Sequence, residues 1–142
     1  MIIRKMCERD LSAVCDLERL IFTRPWSEKD FQDSISKDNN IYLVAEEQGG
    51  IVGYCGLWEV AGEGQINNVA VTESHRGQGI AGEMLAALLD MGRKQGIEAF
   101  TLEVRVSNLP AVSLYHRMGF RDSGLRRNFY EAPTEDAVIM WL

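Results

Sequence analysis

A cluster of glycines stands where a helix should begin. Gly77, Gly79 and Gly82 fall in the segment RGQGIAGEMLAALLDMG, which starts at Arg76 and otherwise has the composition of a strong helix. A helix N-terminus presents unpaired backbone N–H groups and about half a positive charge, and glycines let an anion approach those amides without a Cβ in the way. The pattern indicates a phosphate cradle. The alternative is a flexible connection whose glycines only allow close packing of helix and strand.

The residues around the glycines exclude two common phosphate-binding motifs. No G-K-[ST] follows, as a nucleoside-triphosphate loop requires, and there is no G-x-G-x-x-G within a βαβ unit, as a dinucleotide site requires. A pyrophosphate held mainly by main-chain amides remains as the candidate ligand. Coenzyme A carries such a group.

Composition and charge restrict the class of protein. The 142 residues, 46% hydrophobic and 25% charged, predict one domain over 1–142. The net charge of −6 argues against sequence-independent binding to nucleic acid and would favour a basic partner. The sequence has no apolar run of about 18 residues that could span a membrane, and no signal-peptide core near its start, so we expect a cytoplasmic protein. Three scattered cysteines and two histidines predict no metal site.

The elements that must position the glycines follow from hydrophobic periodicity and from helix breakers. Asp10 and Ser27 are predicted N-caps, Pro25 ends the first helix, and Gly49 with Gly50 joins a hairpin. The predicted strands are 2–6, 41–48, 51–60, 65–71, 100–106 and 137–142. Four helices are predicted: the first begins at Asp10, the second runs from Ser27 to about residue 37, the third runs from the glycines to about residue 95, and the fourth spans 109–118. The order β-α-α-β-β-β-α-β-α-β-β predicts an α/β protein with helices over a mixed sheet.

Several segments together resemble the GNAT acetyltransferases. The stretch from Arg76 to Ala81 matches the R/Q-x-x-G-x-G/A signature, and the preceding NNVAV is similar to the strand along which that family lays the pantetheine arm of its coenzyme. PWS at Pro25, LEVRVSN at Leu102, LYHRMGF at Leu114 and RRNFY near the C-terminus occur in the order seen in the ribosomal-protein alanine N-acetyltransferases of the family. The resemblance covers nearly the whole chain.

The resemblance implies a mostly antiparallel sheet with one parallel pair of strands splayed at the coenzyme site, flanked by helices. It implies acetyl-CoA as co-substrate, no metal, and an acceptor that is the N-terminal α-amino group of a protein, such as a small-subunit ribosomal protein that starts with alanine. The coenzyme-binding residues that it implies are Gly77, Gln78, Gly79, Ile80, Ala81 and Gly82 at the pyrophosphate, Val69, Ala70 and Val71 at the pantetheine and thioester carbonyl, and Asn108 near the next helix. Stabilising the carbonyl oxygen requires a bulged or splayed strand at 69–71.

The same resemblance implies Glu103 as general base and Tyr115 as general acid. In the alternating strand, Glu103 lies on the opposite face from Leu102 and Val104, so its carboxylate can point into a cleft; pairing with Arg105 is the alternative. The Tyr115 phenol can protonate a coenzyme thiolate, and a core tyrosine is the alternative. Near pH 7.4 an α-amino group of pKa about 7.8 is already roughly a quarter neutral, so one carboxylate suffices for an N-terminal acceptor.

The sequence departs from the pattern at Phe129, which replaces the first tyrosine of a pair that Tyr130 completes, and a hydroxyl that could bind a peptide is lost. Trp26 either lines the peptide cleft or packs a helix corner, and His75 and His116 are expected at ordinary surface or helix positions.

Two other functions of the protein remain open. One is a GNAT enzyme acting on a lysine side chain, a polyamine or another small amine, and the other is a non-catalytic acyl-CoA sensor.

Overall fold

Seven strands form one mixed sheet in the computed structural model, which describes all residues from 1 to 142. The strands are β1 (Ile2–Lys5), β2 (Ile41–Glu47), β3 (Gly50–Val60), β4 (Glu63–Val71), β5 (Ala99–Arg105), β6 (Arg121–Tyr130) and β7 (Glu135–Trp141), and the helices are α1 (Leu11–Ile21), α2 (Glu28–Ile35), α3 (Ile80–Lys94) and α4 (Leu109–Arg117). The order across the sheet is β1-β2-β3-β4-β5-β7-β6, and only β4 and β5 are parallel. The predicted order of elements and the α/β class are confirmed.

Apolar side chains are buried on both faces of the sheet, in two separate clusters. On one face α3 and α4 contribute residues such as Met84, Leu88 and Tyr115. On the other face α1 and α2 contribute residues such as Val14 and Phe31. A strand covered on both sides reads as a continuous apolar run, which is why the sequence of β2 is apolar from Ile41 to Ala45 instead of alternating.

The parallel pair of strands separates after a short ladder. The last paired residues of β4 and β5 are Ile66 and Leu102. Beyond them β4 continues to Val71 along β3, and β5 continues to Arg105 along β7, without pairing to each other. The splayed pair that the family resemblance implied is confirmed, and it leaves an opening inside the sheet.

A β-bulge in β4 lies at the point where the two strands separate. The residues of β3 that pair with Ile66 and Asn68 are adjacent, so Asn67 has no partner. The extra residue reverses the alternation of side chains: Ile66 packs in the cluster on the α3 face, whereas Ala70 packs in the cluster on the α1 face. A bulge also increases the local twist of a strand, which helps β4 to turn away from β5.

Tyr42 and Gly56 fix the position of this bulge. Tyr42 on β2 pairs with Gly56 on β3, and its hydroxyl donates a 2.8 Å hydrogen bond to Oδ1 of Asn67. The tyrosine ring lies so close over Gly56 that a Cβ there would be 2.1 Å from its Cε1 atom. The glycine therefore allows a side chain from β2 to cross β3 and hold the bulged residue of β4.

The structure refines one local expectation and confirms another. The turn between β2 and β3 is formed by Gln48 and Gly49, which have φ of 51° and 80°, while Gly50 already belongs to β3. Ser27 caps α2 as expected, because its hydroxyl accepts a 3.1 Å hydrogen bond from the backbone N–H of Asp30 and the Asp30 carboxylate accepts one from Ser27.

Asp10 precedes α1 as predicted, but its carboxylate does not cap the helix. Both oxygens instead accept 2.8 Å hydrogen bonds from the Arg4 guanidinium, and one accepts a further bond from the backbone N–H of Cys7. Hydrogen bonding to Arg4 is the main cause that lowers the pKa of this buried carboxyl to about 2. The side chain that was expected to start a helix therefore ties α1 to strand β1.

Gly56→Ala is expected to lower the free energy of unfolding by about 1–3 kcal/mol, because a methyl group has no room beneath the Tyr42 ring. Gly124→Ala is the matched control, since a Cβ at this strand position meets nothing within 4 Å. Urea unfolding of the two variants measures the difference. Equal midpoints would contradict the role assigned to Gly56.

Candidate active site

An open cleft of about 470 Å³ lies where β4 and β5 separate. Four of the residues predicted for the site line this one cavity: Val69, Glu103, Asn108 and Tyr115. The loop after α1 and the turn between β6 and β7 form its outer walls. Ala70, Val71 and the glycine segment do not line the cleft; they continue the chain from β4 to the start of α3.

The edge of β4 that faces the gap offers main-chain groups to a ligand. Thr72 donates a 2.8 Å backbone hydrogen bond to β3, and partners alternate along an antiparallel strand. The backbone of Ala70 therefore also faces β3, whereas the N–H and C=O groups of Val69 and Val71 face away from it. The Arg76 Nε donates to the Val71 carbonyl over 3.1 Å, in agreement with that direction.

The glycine segment forms a bend with free amides ahead of α3. Gly77 and Gly79 have φ of 80° and 79°, and a Cβ at either position would meet nothing within 4 Å. The left-handed backbone, and not close packing, therefore requires glycine at these two positions. None of the backbone N–H groups of residues 77–82 donates a hydrogen bond within the chain, and no side chain caps α3. Such a set of amides fits a pyrophosphate.

Glu103 projects from β5 with its side chain 30% exposed. Arg105, the partner that the sequence offered as an alternative, instead contacts the Glu135 carboxylate over 3.2 Å and the carbonyls of the β6–β7 turn. The only ion pair of Glu103 is with Arg126, whose Nε lies 3.7 Å from Oε1, which is beyond hydrogen-bond distance. The carboxylate is therefore available to a ligand in the cleft.

Tyr115 is both a core residue and a residue of the cleft wall. Its ring is 7% exposed and packs edge-on against Phe120 at a centroid distance of 5.9 Å, as a core residue does. The residue also lines the cleft, beside Tyr130. Burial raises the pKa of Tyr115. Burial, together with the charge of Glu103, raises the pKa of Tyr130 to about 12. Both phenols therefore carry their protons at neutral pH.

The remaining predicted residues have identifiable structural partners. Asn108 is the N-cap of α4, where its Oδ1 accepts a 3.4 Å hydrogen bond from the backbone of Ala111, and it also lines the cleft. His75 lies 3.1 Å from Glu47 and His116 lies 2.7 Å from Asp122. Neither histidine lines the cleft, as expected.

Sequence reasoning missed a buried carboxylate in the cleft wall. Glu18 on α1 is 2% exposed, accepts a 2.9 Å hydrogen bond from the backbone N–H of Trp26, and accepts another from the Tyr54 hydroxyl. Burial raises the pKa of this carboxyl. The signal was present in the sequence, because Glu18 follows Leu11 by seven positions and so falls on the apolar face of the helix.

Trp26 and Arg24 also belong to this wall. The Trp26 ring packs against Phe31 at 5.0 Å and stacks on Trp58 at 5.8 Å, so it both lines the cleft and fills the helix corner. Arg24 forms an ion pair with Glu131 of the β6–β7 turn, which joins the two outer walls.

Two absences complete the description. No group of three or more histidine, cysteine, aspartate or glutamate side chains is arranged to hold a metal ion. None of the helices combines the length and the apolar character needed to cross a membrane.

Comparison with known proteins finds relatives over the full length of the chain. A sequence model of the Acetyltransferase (GNAT) family matches residues 11–120. The ribosomal protein bS18-alanine N-acetyltransferase of Escherichia coli (strain K12) is 33% identical over 135 residues, covering 94% of this chain and 90% of the relative. A Bacillus subtilis (strain 168) protein, to which the same activity is provisionally assigned, is 36% identical over 141 residues, covering 99% and 93%.

The fold comparison agrees with the sequence comparison. The crystal structure of the ribosomal-protein-S18-alanine N-acetyltransferase from Escherichia coli superposes with a TM-score of 0.91 at 31% identity, covering 99% of this chain and 92% of that one.

Gly79→Ala is expected to weaken the binding of coenzyme A about tenfold, because alanine disfavours a φ of 79° and the bend that presents the amides would change. Gly96→Ala is the matched control, since Gly96 has a φ of 98° at the other end of α3. Isothermal titration with coenzyme A measures both variants. Similar losses of affinity, or none in Gly79→Ala, would contradict the assignment of the cradle.

Proposed function

The chain belongs to the GNAT family of acetyltransferases, and on that basis we propose that it acetylates the N-terminal α-amino group of a ribosomal protein that begins with alanine. Family membership makes it an acetyl-CoA-dependent acyltransferase. The acceptor is proposed from the relatives and from charge, and the residue roles are proposed from the site described above. We treat residues 1–142 as one catalytic domain.

One observation carries the proposal. Val69 on the free edge of β4, Glu103 and Tyr115 all line a single cleft. Acyl transfer to an amine needs a polarised carbonyl, a proton acceptor for the amine and a proton donor for the departing sulfur. This opening supplies a candidate for each demand, which also argues against a non-catalytic acyl-CoA sensor.

Main-chain groups are the proposed means of holding acetyl-CoA, which supplies an acetyl group activated as a thioester. The free amides of residues 77–82 suit its pyrophosphate. The N–H and C=O groups of Val69 and Val71 that face away from β3 can form hydrogen bonds with the amides of the pantetheine arm, as the backbone of a further strand would. An N–H group on this edge would also stabilise negative charge on the carbonyl oxygen. Asn108 would contact the coenzyme at the start of α4.

Glu103 is the proposed proton acceptor. Its carboxylate is half-buried and not hydrogen-bonded to Arg126, so it can accept a proton from the attacking amine, directly or through water. The demand on it is modest for an N-terminal acceptor, because roughly a quarter of α-amino groups of pKa about 7.8 are neutral near pH 7.4. A lysine side chain, with a pKa of about 10.4, is neutral only about once in a thousand.

Tyr115 is the proposed proton donor to the sulfur atom. Burial keeps the phenol protonated at neutral pH, and packing against Phe120 holds its ring in place at the cleft. A phenol held beside the sulfur can donate a hydrogen bond, and then its proton, to the thiolate as the C–S bond breaks. The neighbouring Tyr130 is available to hydrogen-bond with the acceptor peptide.

The acceptor is proposed from the relatives and from charge. The similar proteins of known name act on ribosomal protein bS18. A net charge of −6 would attract a basic ribosomal client, and such a client would locate the reaction in the cytoplasm. The exposed Phe129 at the cleft replaces a hydroxyl with an apolar ring, which would favour apolar contact with the peptide.

Two matched peptides test the choice of acceptor. One has a free N-terminal alanine and no lysine, and the other is blocked at its N-terminus and carries one lysine. We expect acetyl-CoA and the protein to acetylate only the first, as read by mass spectrometry. Modification of only the second would reject the N-terminal assignment while leaving the fold and family unchanged. If neither peptide reacts although coenzyme A binds, the acceptor is a different amine or the chain is a sensor.

Glu103→Gln is expected to lower kcat roughly a hundredfold with little change in the affinity for coenzyme A, because the amide keeps the shape of the side chain but accepts no proton. Glu98→Gln is the matched control, since Glu98 is exposed just before β5 and does not line the cleft. Steady-state kinetics with the alanine peptide and titration with coenzyme A give the two readings. An unchanged kcat in Glu103→Gln would remove the general-base assignment.

A further inference from the structure

The loop between α1 and α2 has almost no backbone hydrogen bonds of its own. Residues 22–26 contribute Phe22, Thr23, Arg24 and Trp26 to the wall of the cleft. Over residues 23–26, the main chain makes one hydrogen bond, from the N–H of Trp26 to Oε2 of Glu18, at 2.9 Å. A single side chain therefore fixes the backbone of a wall of the active site.

The carboxylate that makes this bond is itself held from two other sides. Its Oε1 accepts a hydrogen bond from the hydroxyl group of Tyr54 on β3, which is fully buried. The amide side chain of Asn68, the residue after the β4 bulge, lies beside the same carboxylate and favours its charged form. Glu18 is thus tied to β3, which pairs with the strand that borders the coenzyme site.

We propose that Glu18 is a positioning residue for the acceptor: its carboxylate, anchored by Tyr54, fixes the backbone of Trp26 and so sets the acceptor side of the cleft. The inference rests on the proposed function, because it takes this cleft to be where the amine binds. Aromatic packing of Trp26 on Phe31 and Trp58 holds the ring, whereas the carboxylate holds the main chain.

The two polar contacts of Glu18 differ in what can replace them. The backbone N–H of Trp26 is only a donor and needs an oxygen atom, whereas the Tyr54 hydroxyl can donate or accept. A glutamine can therefore turn its carbonyl oxygen to Trp26 and its amide to Tyr54, and preserve both contacts. Methionine has a similar shape but leaves the N–H without an oxygen acceptor.

Glu18→Met is expected to raise the KM for the acceptor peptide about tenfold, while kcat and the KM for acetyl-CoA stay within about twofold. Glu18→Gln, which keeps an oxygen atom next to the Trp26 N–H, is expected to raise the peptide KM by less than about threefold. Initial rates are measured with each substrate varied at a saturating level of the other, and thermal melting follows folding.

Three results would overturn the proposal. An unchanged peptide KM in Glu18→Met means that the loop does not depend on the carboxylate. A Glu18→Gln variant as impaired as Glu18→Met means that the negative charge acts, and not the position of the loop. A parallel rise in the KM for acetyl-CoA means that Glu18 serves the fold of the whole cleft. If Glu18→Met alone does not fold, E18M/Y54F leaves no unpaired hydroxyl and takes its place.

The activity of the wild-type protein distinguishes a failure of the proposed function from a failure of the proposal for Glu18. Acetylation of the N-terminal alanine peptide by the wild type tests the function, and the ratios among the variants test Glu18. If the wild type modifies another amine, the same variants are compared with that acceptor, because the wall is common to any amine that enters the cleft.

Discussion

The short parallel ladder between β4 and β5 is the constraint on which the rest of the site depends. It ends at Ile66 and Leu102, and the next residue of β4 is the bulged Asn67. Past that point, β4 stays paired with β3 and β5 stays paired with β7, but the two strands no longer pair with each other. Their unpaired backbone groups would be costly to bury, and they border an open cleft instead. The bulge also reverses the phase of β4, and as a result Val69 and Val71 are the residues whose main chain faces the gap.

An opening inside a sheet brings polar groups into the core, and the protein pairs them with one another. Glu18, Asn68 and Tyr54 are buried on the α1 side of the gap, where an isolated carboxylate would be strongly destabilising. Each has a polar neighbour in this group, and no buried side-chain nitrogen or oxygen atom in the protein lacks a hydrogen-bond partner. The α1 side of the cleft is therefore a satisfied polar network, which tends to specify one arrangement of its members.

Local signals were sufficient to predict the elements but not the geometry that joins them. Periodicity and caps located the four helices and six of the seven strands to within a few residues, and the Ser27 cap formed as expected. Strand β6 was expected in the order of elements, but no range was predicted for it. Asp10 did not act as a cap, because an arginine from β1 competes for its carboxylate, and pairing between distant segments leaves no local signal. The separation of β4 from β5 also depends on pairing between distant segments, so it was predicted from the family resemblance and not from a local signal. Glu18 was not predicted because the partners that allow its burial, the Trp26 N–H and the Tyr54 hydroxyl group, are brought to it only by the fold.

In the proposed function, the coenzyme and the acceptor are recognised by different kinds of groups. The coenzyme is held by main-chain groups on the free edge of β4 and in the glycine bend that follows it outside the cleft, so many side chains can change there while the backbone stays the same. The acceptor side consists of side chains from the loop after α1 and from the turn around Phe129 and Glu131. On this proposal, acceptor preference resides in these two segments and in the residues, such as Glu18 and Arg105, that hold them in place.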